Sequence, residues 1–382
     1  MKYVDEFRSG PAAESLCREV RRLAAELVTK RPHTRIMEVC GTHTMAVARH
    51  GIRQLLPREV ELVSGPGCPV CVTVPGYIDA AIELARRGVL IATFGDLLPV
   101  PGSTTTLAQC RAEGGSIEVC YSPADALRLA AQHSDREVVF LAVGFETTIA
   151  PTMAMLETAL RSGIKNLSLL TAFKLVPPAL EALLADPSVG VHGLLCPGHV
   201  SAIIGATAYR RFAGLQGVPC VIAGFEPLDI LLGIAEILRQ LCSGEASVVN
   251  QYSRVVRPDG NPRAQALIRR FLESKDADWR GLGRLPRSSL ALRPEYAMFD
   301  AESRHGIQIS RGVENPLCAC GEVIKGKTAP WDCPLFGHAC TPQHPVGPCM
   351  VSSEGSCAAY YRYVPPDLGV QPNRHATGRG NL

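Results

Sequence analysis

Cysteine is the residue with the most chemistry to offer in this chain, which has 15 of them in 382 residues. Their spacing sorts them into three groups. Cys40 opens the string Cys40-Gly-Thr-His43, and Cys68 and Cys71 close Gly65-Pro-Gly-Cys-Pro-Val-Cys71, both loops rich in glycine or proline. Cys318, Cys320, Cys333, Cys340, Cys349 and Cys357 crowd into one C-terminal segment. The other six, Cys17, Cys110, Cys120, Cys196, Cys220 and Cys242, fall mostly inside apolar helix or strand patterns and read as small core residues.

Each functional group of thiols has a chemistry. In Cys40-Gly-Thr-His43 an imidazole follows a thiol by three residues. A cationic histidine or a helix N-terminus would lower the thiol pKa and favour the thiolate, which binds soft metals or attacks electrophiles. A Cys/His nucleophilic pair is the alternative. Cys68-Pro-Val-Cys71 is a CxxC, suited to a redox dithiol, half a zinc site, or two ligands of a cluster. No second CxxC completes a zinc ribbon, which favours redox work or a metal shared with Cys40. Iron–sulfur clusters and structural zinc both take four thiolates. Six C-terminal candidates therefore leave two for another task. If Cys318-Ala-Cys320 is extended, its two thiols point to opposite sides, one toward a metal and one away. A structural zinc knot is the plainer reading of this segment.

The elements that must position these groups follow from hydrophobic pattern. The pattern predicts strands at Arg35–Val39, Val60–Ser64, Val89–Phe94, Ile117–Tyr121, Val138–Val143, Leu167–Ala172, Gly193–Leu195 and Cys220–Ala223. Helical runs such as Gly76–Arg87, Thr152–Arg161 and Ala202–Phe212 alternate with them, the signature of βαβ units and parallel sheets. Open α/β sheets bind ligands beyond the carboxyl ends of their strands. Six strand ends carry polar or thiol groups beside glycine: Cys40-Gly-Thr-His43, the CxxC loop, Phe94-Gly-Asp96, Gly144-Phe-Glu146, Cys196-Pro-Gly-His199 and Gly224-Phe-Glu226. Together they predict one lined cleft, with Cys40, His43, Cys68, Cys71, Glu146, His199 and Glu226 as its candidate residues. Ala142-Val-Gly-Phe-Glu146 and Ile222-Ala-Gly-Phe-Glu226 echo each other, each closing a strand and opening a helix.

Composition sets the frame. The chain is 46% hydrophobic and 20% charged with a net charge of +3, a globular balance with no basic excess for nucleic acid or membrane surfaces. The N-terminus lacks the apolar core of a secretory signal, so a cytoplasmic protein is expected. The length suits two α/β domains, over residues 35–122 and 123–246. A cysteine-rich domain over 247–364 follows, with too little apolar content for its own core. Residues 1–34 are expected to form a helical segment packing on that C-terminal domain, and 365–382 a disordered tail.

Taken together these strings resemble the HypD family of hydrogenase maturation proteins. The resemblance runs from about Met37 to Val364 and includes Gly144-Phe-Glu-Thr-Thr148, Pro197-Gly-His-Val-Ser201 and Gly224-Phe-Glu-Pro-Leu-Asp229. It continues through Asn250-Gln-Tyr252, Trp279-Arg-Gly-Leu-Gly283, Cys340-Thr-Pro and Pro348-Cys-Met-Val-Ser-Ser-Glu-Gly355. It implies two Rossmann-like domains and a third holding a [4Fe–4S] cluster on Cys318, Cys333, Cys340 and Cys357, with Cys320 and Cys349 as a nearby redox pair. It implies that Cys40 ligates the iron that receives cyanide and carbonyl, with His43 beside it, and that Cys68 and Cys71 form a redox dithiol. The implied role is a scaffold and electron relay for the Fe(CN)2CO unit of nickel–iron hydrogenase. Its implied partners are a HypC-type chaperone and a HypE-type cyanide donor. Pro99 stands where the resemblance leads one to expect arginine, leaving that role unfilled or taken by a neighbour such as Arg49. A cluster-driven thiol–disulfide reductase with protein substrates is the second reading.

Gly321-Glu-Val-Ile-Lys-Gly-Lys-Thr328 formally matches a phosphate-binding loop. No apolar strand precedes it, and Pro330 and Pro334 follow where the phosphate-holding helix would start, so the match reads as chance.

Overall fold

The computed structural model describes residues 8–364, so the tail expected at 365–382 lies outside the described residues. All eight strands read from the sequence are present: β1 (Thr34–Glu38), β2 (Val60–Ser64), β3 (Leu90–Phe94), β4 (Ile117–Cys120), β5 (Val138–Gly144), β6 (Leu167–Phe173), β7 (Gly193–Pro197) and β8 (Cys220–Ala223). Three more follow: β9 (Val248–Asn250), β10 (Leu272–Trp279) and β11 (Gly283–Leu292). β5 and β6 are buried along their whole length, as apolar strands covered on both faces must be.

These strands build two parallel sheets in the orders β2-β1-β7-β8-β9 and β4-β3-β5-β6, plus the antiparallel hairpin β10–β11. The Rossmann-like class is thus as expected, but a boundary near residue 122 does not separate the sheets. β1 and β2 pair with β7 and β8 across more than a hundred residues, and the second sheet is inserted between them. Hydrophobic periodicity identifies strands without saying which of them pair, and that is why the division went astray.

Residues 247–364 differ from expectation as well. β9 completes the first sheet, and the helix Pro262–Phe271 leads into the hairpin, which contacts β6. The hairpin was missed because Glu273, Ser274, Lys275 and Asp276 look polar, as a half-exposed strand does. The helix Gly10–Leu27 packs on the helix Pro227–Ser243 of the first sheet, not on the C-terminal segment. Its buried Val20, Leu23 and Leu27 share a cluster with Ile230, Ile234 and Leu238. An amphipathic helix docks on the broadest apolar stripe available, and that stripe belongs to the helix after β8.

The C-terminal segment borrows its core, as its composition requires. Cys320, Cys349 and Met350 belong to the same apolar cluster as Met37 and Val39 of the first sheet and Ile91 and Leu141 of the second. The helix Ser356–Tyr363 lies on the helix Gly41–Arg49, and the Arg53 guanidinium sits 5.0 Å over the Tyr360 ring while pairing with the buried Glu38.

Both sheets reverse direction near their middle: β1 has β2 on one side and β7 on the other, and β3 has β4 on one side and β5 on the other. Such switch points open crevices at the strand carboxyl ends. Cys40 and His199 follow β1 and β7. Phe145 and Thr148 follow β5.

Candidate functional site

A cleft of about 150 Å3 lies where these two crevices meet. Its walls include Cys40, Gly67 and Pro69 from the first loops, Phe145, Thr147 and Thr148 after β5, His199 after β7, and Glu354 from the C-terminal segment. That is room for a compact group of a few non-hydrogen atoms and too little for a nucleotide.

Two glycines bring the thiol loops together. Gly41 N–H donates to Gly67 O at 3.1 Å. A Cβ on Gly67 would stand 2.5 Å from Cys40 C and Val39 O, and a Cβ on Gly41 would stand 2.6 Å from Glu354 Cβ. Only glycine lets the three backbones pass so closely.

Cys40 occupies the N-cap of the helix Gly41–Arg49 and is buried. Burial, with the Glu354 carboxylate second, pushes its thiol up to about 12, against the smaller opposing pull of Thr42 and the His43 N–H. The lowered pKa expected from the sequence is therefore absent, because the thiol is dry and a carboxylate shares its space. Such a thiol is a protonated reserve that becomes a thiolate when a cation takes the proton's place.

His43 lies in the first helical turn, as its position in the motif requires, but it does not line the cleft. Its ring is fully buried, with Nε2 2.9 Å from Gly224 O and Nδ1 without a hydrogen-bond partner among the described residues. Burial holds its pKa down at about 4, so it is a neutral group at physiological pH. The ring packs at 4.7 Å on Phe225, which also meets His199 at 4.1 Å and the edge of Tyr252 at 6.1 Å. His199 thus reaches the cleft while His43 braces the aromatic behind it.

The two glutamates of the echoed motifs do other work. Both strings close a strand and open a helix, in different sheets. Glu146 Oε1 accepts from Val176 N at 3.0 Å, Oε2 is buried with no hydrogen-bond partner among the described residues, and burial raises its pKa to about 7. Glu226 caps the helix Pro227–Ser243 and pairs with Arg8, which lowers its pKa. Neither carboxylate lines the cleft. Arg49, the suggested stand-in beside Pro99, does not line it either.

Cys68 and Cys71 are joined as a disulfide, 4% and 0% exposed. Gly67 and Pro69 beside Cys68 line the cleft, while Cys71 Sγ lies 3.9 Å from Pro348 O, next to Cys349. The disulfide therefore separates the cleft from the C-terminal thiols.

In that segment the Cys318, Cys320, Cys349 and Cys357 thiols lie close enough to perturb one another. Beside Cys320, Cys318 is drawn down to about 7, and Cys349 falls well below the ordinary thiol range. The extended geometry expected for Cys318-Ala-Cys320 is not found. Ala319 caps the short helix Cys320–Val323, and the turn puts both thiols on one side. Backbone N–H groups also face sulfur: Val346 N donates to Cys340 Sγ and Cys357 N to Cys349 Sγ, each at 3.3 Å. A Cβ on Gly347 would stand 2.7 Å from Cys318 Sγ. Among the described residues no three His, Cys, Asp or Glu side chains converge as they would on a single metal ion. The set instead offers several soft thiols with N–H donors around them, the environment that suits a cluster, whose thiolates bind separate irons.

Sequence reasoning missed Glu354 and Thr42. Thr42 Oγ1 donates to Glu354 Oε1 at 2.7 Å, and burial raises the Glu354 pKa. Glu354 is 312 residues from Thr42, and no local pattern announces such a contact. The rejected phosphate loop stays rejected: Lys327 Nζ pairs with Asp186 at 2.7 Å, and the 3-10 turn Pro330–Asp332 follows where a long helix would be needed.

A buried thiol in a small cleft at two strand-end crevices, with a disulfide and six further thiols behind it, is a set of groups able to hold a soft metal. Comparison with known proteins then gives the family. The sequence profile of the HypD "Hydrogenase formation hypA family" matches residues 12–364. The chain is 49% identical to "Hydrogenase maturation factor HypD" of Azotobacter vinelandii over 371 residues, covering 95% of this chain and 97% of that one. It is 44% identical to the protein of the same name from Cupriavidus necator, over 95% of this chain and 97% of that one. For the one from Escherichia coli the figures are 43%, 95% and 98%. The chain belongs to the HypD family of hydrogenase maturation factors. Among the described residues no helix is long and apolar enough to cross a membrane.

Proposed function

We propose that this chain is the scaffold and electron relay on which the Fe(CN)2CO unit of a nickel–iron hydrogenase is assembled. It would work with a HypC-type chaperone that shares the iron and a HypE-type donor that brings cyanide bound to sulfur. The observation that carries the reading is the line of thiols from Cys40 in the cleft, through the Cys68–Cys71 disulfide, to the segment containing Cys349.

In this reading iron is the cargo. Cys40 exchanges its proton for iron, and the dry walls of Val39, Phe145, Val176 and Val200 keep water from competing with cyanide and carbonyl. His199 at the rim and Thr147 and Thr148 supply hydrogen bonds to ligand nitrogen or oxygen. The reduced Cys68/Cys71 pair gives two electrons and two protons as it closes to the disulfide. A thiocyanate takes them up and leaves as a thiol and hydrogen cyanide, so the step balances. Cys320 and Cys349, neighbouring thiols beside Pro348, are the dithiol that would reopen that disulfide.

Cys318, Cys333, Cys340 and Cys357 are the residues that would hold a [4Fe–4S] cluster. Such a cluster supplies single electrons through its own change of oxidation state. The reductase reading fits less well, because a disulfide that is 4% and 0% exposed is out of reach of a protein substrate.

Anaerobic purification tests the reading. The protein should be brown and contain iron and acid-labile sulfide. Stoichiometric zinc without sulfide, in protein that still supports maturation, would contradict it.

A further inference from the structure

A second cleft, of about 230 Å3, opens between the carboxyl end of β6 and the β10–β11 hairpin. At its inner wall stands Lys174, the residue directly after β6, which is 4% exposed. Its Nζ donates to Asp278 O at 2.7 Å and lies 5.4 Å above the Trp279 ring. An ammonium carries three hydrogens, and the other two find no partner among the described residues. The nearby carboxylates are engaged elsewhere. Glu302 pairs with Lys275 at 3.7 Å, and Asp278 pairs with Arg284 at 3.6 Å and Arg311 at 3.7 Å. Burial, with help from Lys275, accordingly pushes the Lys174 pKa down to about 7.

The hairpin is shaped around this space. Its register runs Lys275↔Ser289 and then Ala277↔Leu285, an irregularity that interrupts the ladder. In a regular strand alternate residues would face away. Here Lys275, Asp276, Ala277 and Asp278 all line the cleft. Arg287, opposite the irregularity, has φ +48°, the only non-glycine residue with positive φ among the described residues, and its N–H donates to Asp276 Oδ1 at 2.9 Å. Bulges that re-aim side chains and backbone held in such a conformation both concentrate at binding sites.

We propose that this second cleft binds a small organic carboxylate, received by the two unused N–H bonds of Lys174 with the Thr171 hydroxyl on the same wall. A singly charged, planar carboxylate matches one ammonium. Glu302 pairs with Lys275 and Asp278 with Arg284 on the same walls, which leaves Lys174 a single positive charge to offer and Asp276 to disfavour a dianion. Thr73, two residues after Cys71, also lines the space, so the occupant sits behind the CxxC loop.

The test is saturation-transfer NMR from the intact, anaerobically purified protein to acetate and to propionate, with inorganic phosphate as competitor. Wild type should give a saturable signal, and Lys174→Met should weaken binding by about tenfold or more, the loss of a charge-assisted hydrogen bond. Ala277→Leu fills the cleft from the hairpin without removing a charge and should abolish the signal, so the proposal stays testable if Lys174→Met fails to fold. Cys40→Ser, in the other cleft, should leave acetate binding unchanged. No saturable signal, a signal that persists in either folded cleft variant, or displacement of acetate by phosphate more readily than by propionate would each overturn the proposal.

Discussion

Replacing Glu146 by glutamine separates a structural carboxyl from a catalytic one. The side chain is fully buried; Oε1 accepts from Val176 N, Oε2 has no hydrogen-bond partner among the described residues, and burial moves the pKa from 4.5 to about 7. An acid with a raised native pKa holds its proton more tightly folded than unfolded. The resulting stabilisation is complete below pH 4.5 and is lost as pH rises to 7. At 1.36 kcal/mol per pH unit, the total is about 3 kcal/mol. Glutamine keeps an oxygen for Val176 N and does not titrate. The urea-unfolding stability of Glu146→Gln relative to wild type should therefore improve by about 3 kcal/mol between pH 4.5 and pH 8, with the denaturant slope unchanged. The absolute offset also includes a buried amide N–H, which is why the pH trend is the quantity to read. A stability difference that does not change with pH would refute the burial argument. Hydrogenase maturation should survive the substitution, since the carboxyl does not line the cleft; its loss in folded protein would return Glu146 to the catalytic set.

Gly67→Ala should cost about 2–3 kcal/mol by urea unfolding, because its Cβ would meet the backbone of Cys40 and Val39, which cannot swing aside. Gly214→Ala, with no atom within 4 Å of its Cβ, should be neutral or slightly stabilising; equal costs for the two would mean that the loop contact is not tight. Lys327→Ala breaks only a partly exposed ion pair with Asp186, so maturation in a complemented deletion strain should be retained. Loss of maturation together with lost nucleotide binding would revive the phosphate-loop reading.

Much of this architecture was legible because parallel strands are written in continuous apolar runs and ligands gather at their carboxyl ends. Of the residues expected around one cleft, Cys40 and His199 line it together with Gly67 and Pro69 of the CxxC loop, whereas His43, Asp96, Glu146 and Glu226 do not. What escaped was everything decided by long-range partnership. Strand pairing across the chain moved the domain boundary, and the hairpin concealed itself behind polar residues on its exposed face. Glu354 reaches the cleft only because the C-terminal segment folds back onto Gly41. The same limit explains the reversals at Cys40 and His43. A motif gives the sequence distance between a thiol and an imidazole, but burial sets their charge, and burial pushes one up to about 12 and the other down to about 4.

The central claim is that Cys40 holds the iron while Cys68 and Cys71 deliver electrons, and infrared spectroscopy of Cys40→Ser co-purified with the small chaperone tests it most directly. A hydroxyl is too hard a donor to keep iron bound to cyanide and carbonyl. Cys40→Ser should therefore lose the metal–cyanide and metal–carbonyl bands while keeping the iron and sulfide of the C-terminal segment. Cys68→Ser and Cys71→Ser should retain some bound iron but fail to turn over. Normal cyanide and carbonyl bands in Cys40→Ser would contradict the account, and band loss confined to the Cys68 variant would move the iron to the CxxC loop.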